Sequence, residues 1–214
     1  MNLMNEDNIV SICLNTIGDI VVLNLLFVIC SLPIVTIGPS LCALYHCMLR
    51  ITKGTNNGVM KTFFRALREN FVQSLLVWIG VLAAGAVVFV NIRFLLYMPK
   101  SAFSTVLLYL SYAVAVLGVI LFLYVFPVMA ALAGTIKDHL RNSVLFAFMH
   151  FPSTMLIALI SLLPMYMTYQ DLELLPLYTF CWASFGFGLT SYINSMLFYR
   201  MFRPYLKQDT EQAV

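Results

Sequence analysis

Cys42, His46 and Cys47 are the residues of this chain that most resemble metal ligands. Cys42 and His46 are four residues apart, so they would share one face of a helix. A structural zinc site needs four ligands, and no second Cys/His pair stands nearby in the sequence. We therefore expect neither a metal nor another cofactor. The segment is interpreted as buried small side chains around one hydrogen-bonded histidine.

Two further positions carry groups suited to acid–base chemistry. Asp138 and His139 are adjacent in the sequence, and adjacent side chains on a helix do not face each other. No serine or cysteine nucleophile can be identified as their partner. His150 opens an apolar segment and is interpreted as an interfacial hydrogen-bonding residue. We predict that the protein is not an enzyme and that residues 136–142 form a solvated connector.

The elements that hold these residues are hydrophobic. Of the 214 residues, 62% are hydrophobic and 10% are charged, whereas soluble domains have about half apolar and about a quarter charged residues. The apolar residues form runs long enough to cross a bilayer as helices. We predict an all-α, polytopic transmembrane helix bundle, with 1–214 as one domain and short polar tails at 1–7 and 205–214. A net charge of +3 is too small and too dispersed for nucleic-acid binding, so the lipid bilayer is the expected partner.

One stretch, residues 31–39, reads Ser-Leu-Pro-Ile-Val-Thr-Ile-Gly-Pro and interrupts the first apolar run. Its prolines lack a backbone N–H and clash with the preceding turn, so a straight helix cannot pass through. The glycine suits a turn, because it can adopt positive φ. Broken backbone at membrane depth must be buried in protein or line a wet cavity. The residues that would line such a path, or serve a purely structural turn, are Asn24, Pro33, Thr36, Gly38 and Pro39.

The number of membrane helices depends on this break. If residues 31–39 form a hairpin, the chain has six membrane helices and starts inside the cell. If 17–50 is one broken span, the chain has five helices and starts outside. An unbroken helix from Asp19 to Arg50 would be roughly 45 Å long, against a hydrocarbon core of about 30 Å. Length therefore favours the hairpin, and both alternatives stay open.

Basic residues predict the orientation of the chain. They concentrate in loops 50–71 and 136–142 and at the C-terminus, which are alternate connections between predicted spans. The positive-inside rule places all three in the cytoplasm. Residues 59–71 also have the pattern of an amphipathic helix that lies at an anionic membrane surface. The basic residues of this membrane-surface segment are Arg50, Lys53, Lys61, Arg65 and Arg68.

The last predicted span, about 175–199, carries small side chains at helical spacing. Such a stripe permits two helices to approach closely. The contact lies either within the chain or against a partner, including a second copy. The residues of this candidate helix contact are Ser184, Gly188, Ser191 and Ser195.

Four segments in the first third of the chain form a recognisable set. They are Ile-Gly-Asp-Ile-Val-Val-Leu-Asn-Leu-Leu-Phe (17–27), Ser-Leu-Pro-Ile-Val-Thr-Ile-Gly-Pro (31–39), Ala-Leu-Tyr (43–45) and Phe-Phe-Arg-Ala-Leu-Arg-Glu-Asn-Phe (63–71). Together they resemble the YesL family of bacterial integral membrane proteins. That family is of uncharacterised function, and its members are commonly encoded beside carbohydrate ABC-transporter genes. The resemblance implies a multi-pass protein of the bacterial cell membrane in a context of sugar uptake, and it supplies no catalytic residues.

Two functional hypotheses follow. The first is an accessory or regulatory component linked to carbohydrate uptake. It would bind sugar ABC-transporter components through the basic loop 50–71 and the small-residue face of the last span. The second is a small-solute transporter or channel that uses the broken helix at 31–39. Coupled transporters usually keep ionisable groups near the midplane. After Asp19 no charged residue lies in the middle of a predicted span, which favours the first hypothesis.

Overall fold

The structure is a computed structural model that describes the backbone of residues 4–55, 58–99 and 101–211. Side chains are described for 14–55, 58–99, 101–171 and 173–205. Within the described backbone the chain forms nine α-helices and no strand. The helices are α1 (Met4–Cys30), α2 (Ile37–Thr52), α3 (Val59–Glu69), α4 (Phe71–Tyr97), α5 (Ala102–Ala131), α6 (Ile136–Met149), α7 (Phe151–Gln170), α8 (Leu175–Cys181) and α9 (Phe187–Glu211).

Four helical stretches are long and apolar enough to cross a membrane. A shorter apolar stretch, Leu14–Cys30, belongs to α1. A π-helical turn, Trp182–Gly186, joins α8 to α9 with helical backbone angles at both ends. The prediction of an all-α bundle in a multi-pass membrane protein is confirmed, and the apolar helices imply contact with a lipid bilayer. The four stretches are Ile34–Thr52, Phe71–Tyr97, Ala102–Ala131 and Phe151–Gln170.

The predicted connector at 136–142 is wrong, because these residues form the first half of α6. Thr135 and Asp138 make a capping box in which each side chain accepts the backbone N–H of the other, at 3.4 and 3.0 Å. Helix α6 ends at His150, whose backbone angles (φ −114°, ψ 48°) are not helical. The apolar run over 144–167, which the sequence favours as one span, is therefore divided between α6 and α7.

The predicted polar tails are largely helical where the structure describes them. Helix α1 begins at Met4, within the tail predicted at 1–7, and α9 continues to Glu211, within the tail predicted at 205–214. Residues 1–3 and 212–214 lie outside the described residues.

The chain reverses direction between α1 and α2. Ile20 and Phe27 of α1 share one cluster of buried side chains with Cys47 of α2 and Phe63 of α3. A single straight helix would hold residues 20 and 47 about 40 Å apart, at 1.5 Å per residue. The break is therefore a hairpin, the alternative that the length of the run favours. The membrane side on which the N-terminus lies stays a prediction.

A second cluster of buried side chains joins α2 to α4, α5, α6, α7 and α9, and aromatic rings dominate it. The rings of Tyr124 and Phe198 meet edge to face with centroids 5.1 Å apart, and those of Phe146 and Phe202 lie 5.0 Å apart. Lipid tails are as apolar as these side chains, so dense packing rather than exclusion from water stabilises the contacts. Helix α2 contributes to both clusters and is the centre of the bundle.

Two of the basic segments lie at the same end of the bundle. The side-chain amide of Gln73, near the start of α4, donates to the carbonyl of Gly134 at 2.9 Å. This bond holds the segment before α4 beside the loop between α5 and α6. Tyr205 packs near the end of α9 against Phe146 of α6, with ring centroids 5.1 Å apart. These contacts are consistent with the prediction that the basic segments share one side of the membrane. Their assignment to the cytoplasmic side stays a prediction.

The distal halves of α4 and α5 differ from the rest of the bundle. Among the described residues between Trp78 and Tyr124, only Leu95 and Ser104 are buried, and both lie near the loop that joins the two helices. We call this pair of half-helices, residues 79–121, the arm. The Ser111 hydroxyl donates to Asn91 Oδ1 across the pair at 2.8 Å. The arm thus exposes most of its apolar surface.

Candidate functional site

The broken segment is held together by Thr36. The chain passes from α1 to α2 through a 3₁₀ turn, Ile34–Thr36. The Thr36 hydroxyl is shared between the carbonyl oxygens of Cys30 at 2.6 Å and Pro33 at 2.8 Å. Carbonyl groups at the end of a helix have no helical donor. The threonine hydroxyl therefore supplements the backbone bonds of the turn, such as the one from the Thr36 N–H to the Pro33 carbonyl at 2.9 Å.

Trp78 of α4 holds the same segment from the side. Its indole N–H donates to the carbonyl of Ile34 at 2.8 Å. A Cβ atom at Gly38 would lie 2.5 Å from Trp78 Cβ and 3.0 Å from the carbonyl oxygen of Ser74. The predicted turn role of Gly38 is wrong, because its φ is not positive. Gly38 instead lets α2 and α4 approach closely, and Pro39 is buried beside it in the first turn of α2.

Three side chains of the break point outward, while two of its carbonyl groups are hydrogen-bonded. Leu32 and Ile34 are 76% and 68% exposed, and Pro33 is exposed as well. The carbonyls of Pro33 and Ile34 accept from Thr36 and Trp78, whereas the buried Ser31 Oγ is without a protein partner. An apolar outer surface over hydrogen-bonded carbonyl groups suits non-helical backbone in contact with lipid.

Asn24 is fully buried and joins α1 to the π-helical turn. Its Nδ2 donates to the carbonyls of Trp182 at 3.1 Å and Ala183 at 2.6 Å, and the Gly188 N–H donates to its Oδ1 at 2.8 Å. A π turn interrupts the regular i→i−4 ladder and leaves backbone groups without helical partners. One amide side chain therefore completes the backbone hydrogen bonding of another helix.

The small-residue stripe of α9 is used within the chain. Gly188, Ser191 and Ser195 are buried, and Ser184 is half-buried. A Cβ atom at Gly188 would lie only 2.8 Å from the carbonyl oxygen of Ile20. Of the two alternatives for this stripe, the structure places Gly188 in contact with α1 and leaves it no room to contact a partner.

A polar centre lies between α2, α7 and α9, and sequence reasoning missed it. Asn194 Nδ2 donates to Ser161 Oγ at 2.9 Å, and the Tyr45 hydroxyl lies against Asn194 and Ser191. In this centre Asn194 Oδ1 is buried without a protein partner, and the same holds for the hydroxyl oxygens of Ser31, Ser40 and Ser195 among the described residues. The sequence signal available for this centre was the side-chain amide of Asn194 inside an apolar run. The same kind of signal identified Asn24.

The basic residues predicted at the membrane surface lie on α2, α3 and the loop between them. Lys53, Lys61, Arg65 and Arg68 are exposed, and Arg50 is half-buried. Helix α3 buries Thr62, Phe63 and Ala66 against the bundle. Its opposite face is free and carries the charges.

A groove of ≈ 440 Å³ runs along the arm between α4 and α5. Its walls include the small residues Ala84, Gly85, Ala115 and Gly118. A Cβ atom at either glycine would meet nothing within 4 Å. The small residues of the arm are therefore not occupied by packing inside the chain.

The residues that resemble metal ligands have other contacts. The His46 imidazole Nδ1 lies 3.1 Å from the carbonyl oxygen of Ala130, and Cys42 and Cys47 are buried free thiols. Among the residues that the structure describes, no three His, Cys, Asp or Glu side chains come together as a metal site.

Asp138 and His139 serve the start of α6. Hydrogen bonds from the side chain and backbone of Thr135 lower the pKa of Asp138. Burial lowers the pKa of His139. The His139 ring packs close to Gly134. The two side chains thus cap and pack a helix end.

A family model described as "Protein of unknown function, DUF624" matches residues 20–92, which is 73 of the 214 residues. That family includes YesL-like membrane proteins. The match runs from α1 through the broken segment into the arm and covers the segments that carry the YesL resemblance, except residues 17–19. No curated protein and no solved structure matches the chain.

Proposed function

We propose that the chain is an accessory or regulatory protein of the bacterial cell membrane, linked to carbohydrate uptake and without catalytic or transport activity of its own. It acts by binding another membrane protein, and sugar ABC-transporter components are the partners to test. The observation that carries this proposal is the exposed apolar arm. The resemblance to the YesL family supplies the sugar-uptake context.

The arm has the features of a helix-binding surface. Association of helices in a membrane depends on close approach of backbones at small residues. The groove of the arm offers Gly85 and Gly118 with open space in front of each. The large side chains around it, such as Phe89 and Val114, are exposed. A transmembrane helix of the partner fits this chemistry, because the contact needs shape and no charge.

The residues predicted to line a solute path support a binding role over transport. Thr36 pairs with two carbonyl groups of the break, and Trp78 pairs with a third. Both polar atoms of Asn24 are engaged by α9 and the π turn. The side chain of Trp78 occupies the space beside Gly38. Asn24, Thr36 and Gly38 are thus engaged by contacts within the protein, which supports a binding role.

Co-purification with a sugar ABC permease in mild detergent tests the proposal. The variant Gly85→Leu/Gly118→Leu fills the groove at positions with free space, so the fold is retained and recovery of the permease falls. The matched control is Gly18→Leu, an exposed position on α1 that also has nothing within 4 Å. The control retains the permease. Equal recovery with both variants, or no recovery with the unaltered chain, refutes the proposal.

A small-solute transporter is the second candidate, and the polar centre is the observation that favours it. Buried oxygen atoms without partners are uncommon and call for water or a ligand, and polar groups inside a membrane often mark a solute path. Reconstitution into liposomes separates the candidates. Flux of a sugar or ion above that of empty vesicles, abolished by Asn194→Leu, supports transport. No flux supports the accessory role.

A further inference from the structure

We propose that the end of α2 and the outer face of α3 form a binding site for an anionic phospholipid. Arg50 and Arg65 bind its phosphate group, and its acyl chains lie against Met60 and Phe64. This site is remote in sequence from the arm and goes beyond the proposed function. Its existence does not depend on a permease partner.

The exposed face of α3 divides into an apolar edge and a basic edge. At 100° per residue, the exposed positions follow one another around the helix in the order 60, 64, 68, 61, 65, 69. Met60 and Phe64, 55% and 48% exposed, form the apolar edge. Arg68, Lys61 and Arg65 form the basic edge, and Glu69 follows Arg65 at its far side. Helices of this kind lie in the membrane interface, with one edge in the acyl region and the other among headgroups.

Two arginines stand on helices that pack against each other. Cys47 and Met48 near the end of α2 share a cluster of buried side chains with Phe63 and Ala66 of α3, and Arg50 and Arg65 are close in sequence to these contacts. No ion pair with a carboxylate is formed by either arginine within the described residues, although Glu69 is exposed one turn after Arg65. Basic residues on neighbouring helices attract an anion. Arginine matches phosphate oxygens in a paired, two-bond geometry.

Arg50 has spare hydrogen-bonding capacity. Its Nη2 donates to the carbonyl of Thr55 at 3.2 Å, and its buried Nε is without a protein partner. Gly54 and Gly58, with φ of 74° and 79°, shape the loop that separates α2 from α3. Beyond this loop α3 packs against α2, so Arg50 and Arg65, 15 residues apart in sequence, stand on neighbouring helices.

Charge and position favour a lipid over an acidic protein segment. Residues 50–71 carry five basic residues and one acidic residue, Glu69, a net charge of 5 − 1 = +4. Helix α3 is followed directly by α4, whose apolar stretch starts at Phe71, so α3 lies at the edge of the bilayer. An acidic segment in solution would match the charges, and the exposed Met60 and Phe64 would stay without a partner.

The test measures lipid binding to the full chain, purified in neutral detergent, by native mass spectrometry with phosphatidylglycerol or phosphatidylcholine. Each basic residue near an anionic surface contributes roughly 1 kcal/mol. The variant Arg50→Gln/Arg65→Gln is therefore expected to bind phosphatidylglycerol about 30-fold more weakly. The control Arg93→Gln, at the distal end of α4, is expected to bind as the unaltered chain does. Equal affinity for the two lipids, or an unchanged affinity in the double variant, overturns the proposal.

Two further variants distinguish a lipid phosphate from free inorganic phosphate and control for misfolding. Phe64→Ser keeps every charge and removes an apolar contact, so it weakens lipid binding and leaves any binding of inorganic phosphate unchanged. Arg50→Lys/Arg65→Lys keeps the charge and retains part of the affinity, which shows that the site tolerates substitution. Displacement of the lipid by millimolar inorganic phosphate, or tighter binding of a polyglutamate peptide than of the lipid, contradicts a lipid site.

Discussion

Gly38 and Gly188 of the bundle and Gly85 and Gly118 of the arm are the same residue type in helices of similar apolar composition. A Cβ atom at Gly38 or Gly188 would lie within 2.8 Å of a neighbouring helix, whereas one at Gly85 or Gly118 would meet nothing within 4 Å. The bundle glycines are required by contacts that already exist. The arm glycines leave a groove open, which identifies the arm as the surface still available to a partner.

Polar side chains differ between the two regions in the same way. Asn24 in the bundle makes three hydrogen bonds to the π turn and α9. Asn91 in the arm accepts one bond from Ser111, whose hydroxyl also lies 2.8 Å from the carbonyl of Leu107. The bundle is therefore fixed by specific contacts between distant segments. The arm is a helical hairpin held by local ones.

The largest expected difference in stability between the bundle and the arm comes from replacing a glycine in each. Gly38→Ala should lower the free energy of unfolding by about 3 kcal/mol, because the new methyl group clashes with the Cβ of Trp78 and cannot move aside. Gly118→Ala should leave it unchanged or raise it by up to about 1 kcal/mol, since alanine favours helix. Unfolding in a denaturing detergent measures both. Equal losses in the two variants would remove the distinction between bundle and arm.

Asparagine provides the next test. Asn24→Leu keeps the volume but leaves two carbonyls and one N–H of the π turn and α9 unpaired in a buried site. We expect a loss of about 2 kcal/mol in the free energy of unfolding. Asn91→Leu should cost less than about 0.5 kcal/mol, because Ser111 retains its bond to Leu107. A neutral Asn24→Leu would show that the π turn does not need the amide.

Removing a threonine hydroxyl should lower the free energy of unfolding more in the break than in the arm, but by less than the substitutions above. Thr36→Val removes the donor shared by the Cys30 and Pro33 carbonyls and should cost about 1 kcal/mol. Thr36→Ser keeps that donor and should restore most of the stability. Thr105→Val, at the exposed start of α5, should have no measurable effect. The same unfolding assay applies, and a stable Thr36→Val would show that the break does not depend on this bond.

The smallest effect is a local response to pH at the start of α6. Hydrogen bonds from Thr135 lower the pKa of Asp138 in the folded protein. Their contribution is thus present above the ordinary pKa of the carboxyl and is lost as pH falls through the lowered value. Amide exchange at 135–140, corrected for its intrinsic pH dependence, should quicken over that acidic range. The start of α5 should not respond, because its capping box consists of Ser101 and Ser104, and Asp138→Asn should abolish the response.

Much of the fold could be predicted because it depends on local composition. The length of the apolar runs predicts the membrane helices, and the prolines of 31–39 predict a break, although a hairpin and one broken span both remained possible. The start of α6 was missed although Thr135 and Asp138 stand in a capping-box spacing. The division at His150 was also missed, because an apolar run hides a change of direction between two helices.

The candidate site could be predicted only in part. Asn24 and the stripe of α9 were identified, because polar and small residues are conspicuous in apolar helices. Trp78 was not, since an aromatic residue in such a run gives no sign of its partner. Its role as a donor to the Ile34 carbonyl depends on the approach of α4 to a turn 44 residues earlier in the chain.

The sequence by itself determined that this chain is a multi-pass helical membrane protein with a break at 31–39 and basic connecting segments. Helix length, proline chemistry and charge act over a few residues, so they can be read along the chain. Only the tertiary structure decided which small and polar residues are in contact with another helix. Gly188 and Gly118 look alike in sequence, and what separates them is whether another helix lies opposite. That juxtaposition is non-local, and it distinguishes the closed bundle from the open arm.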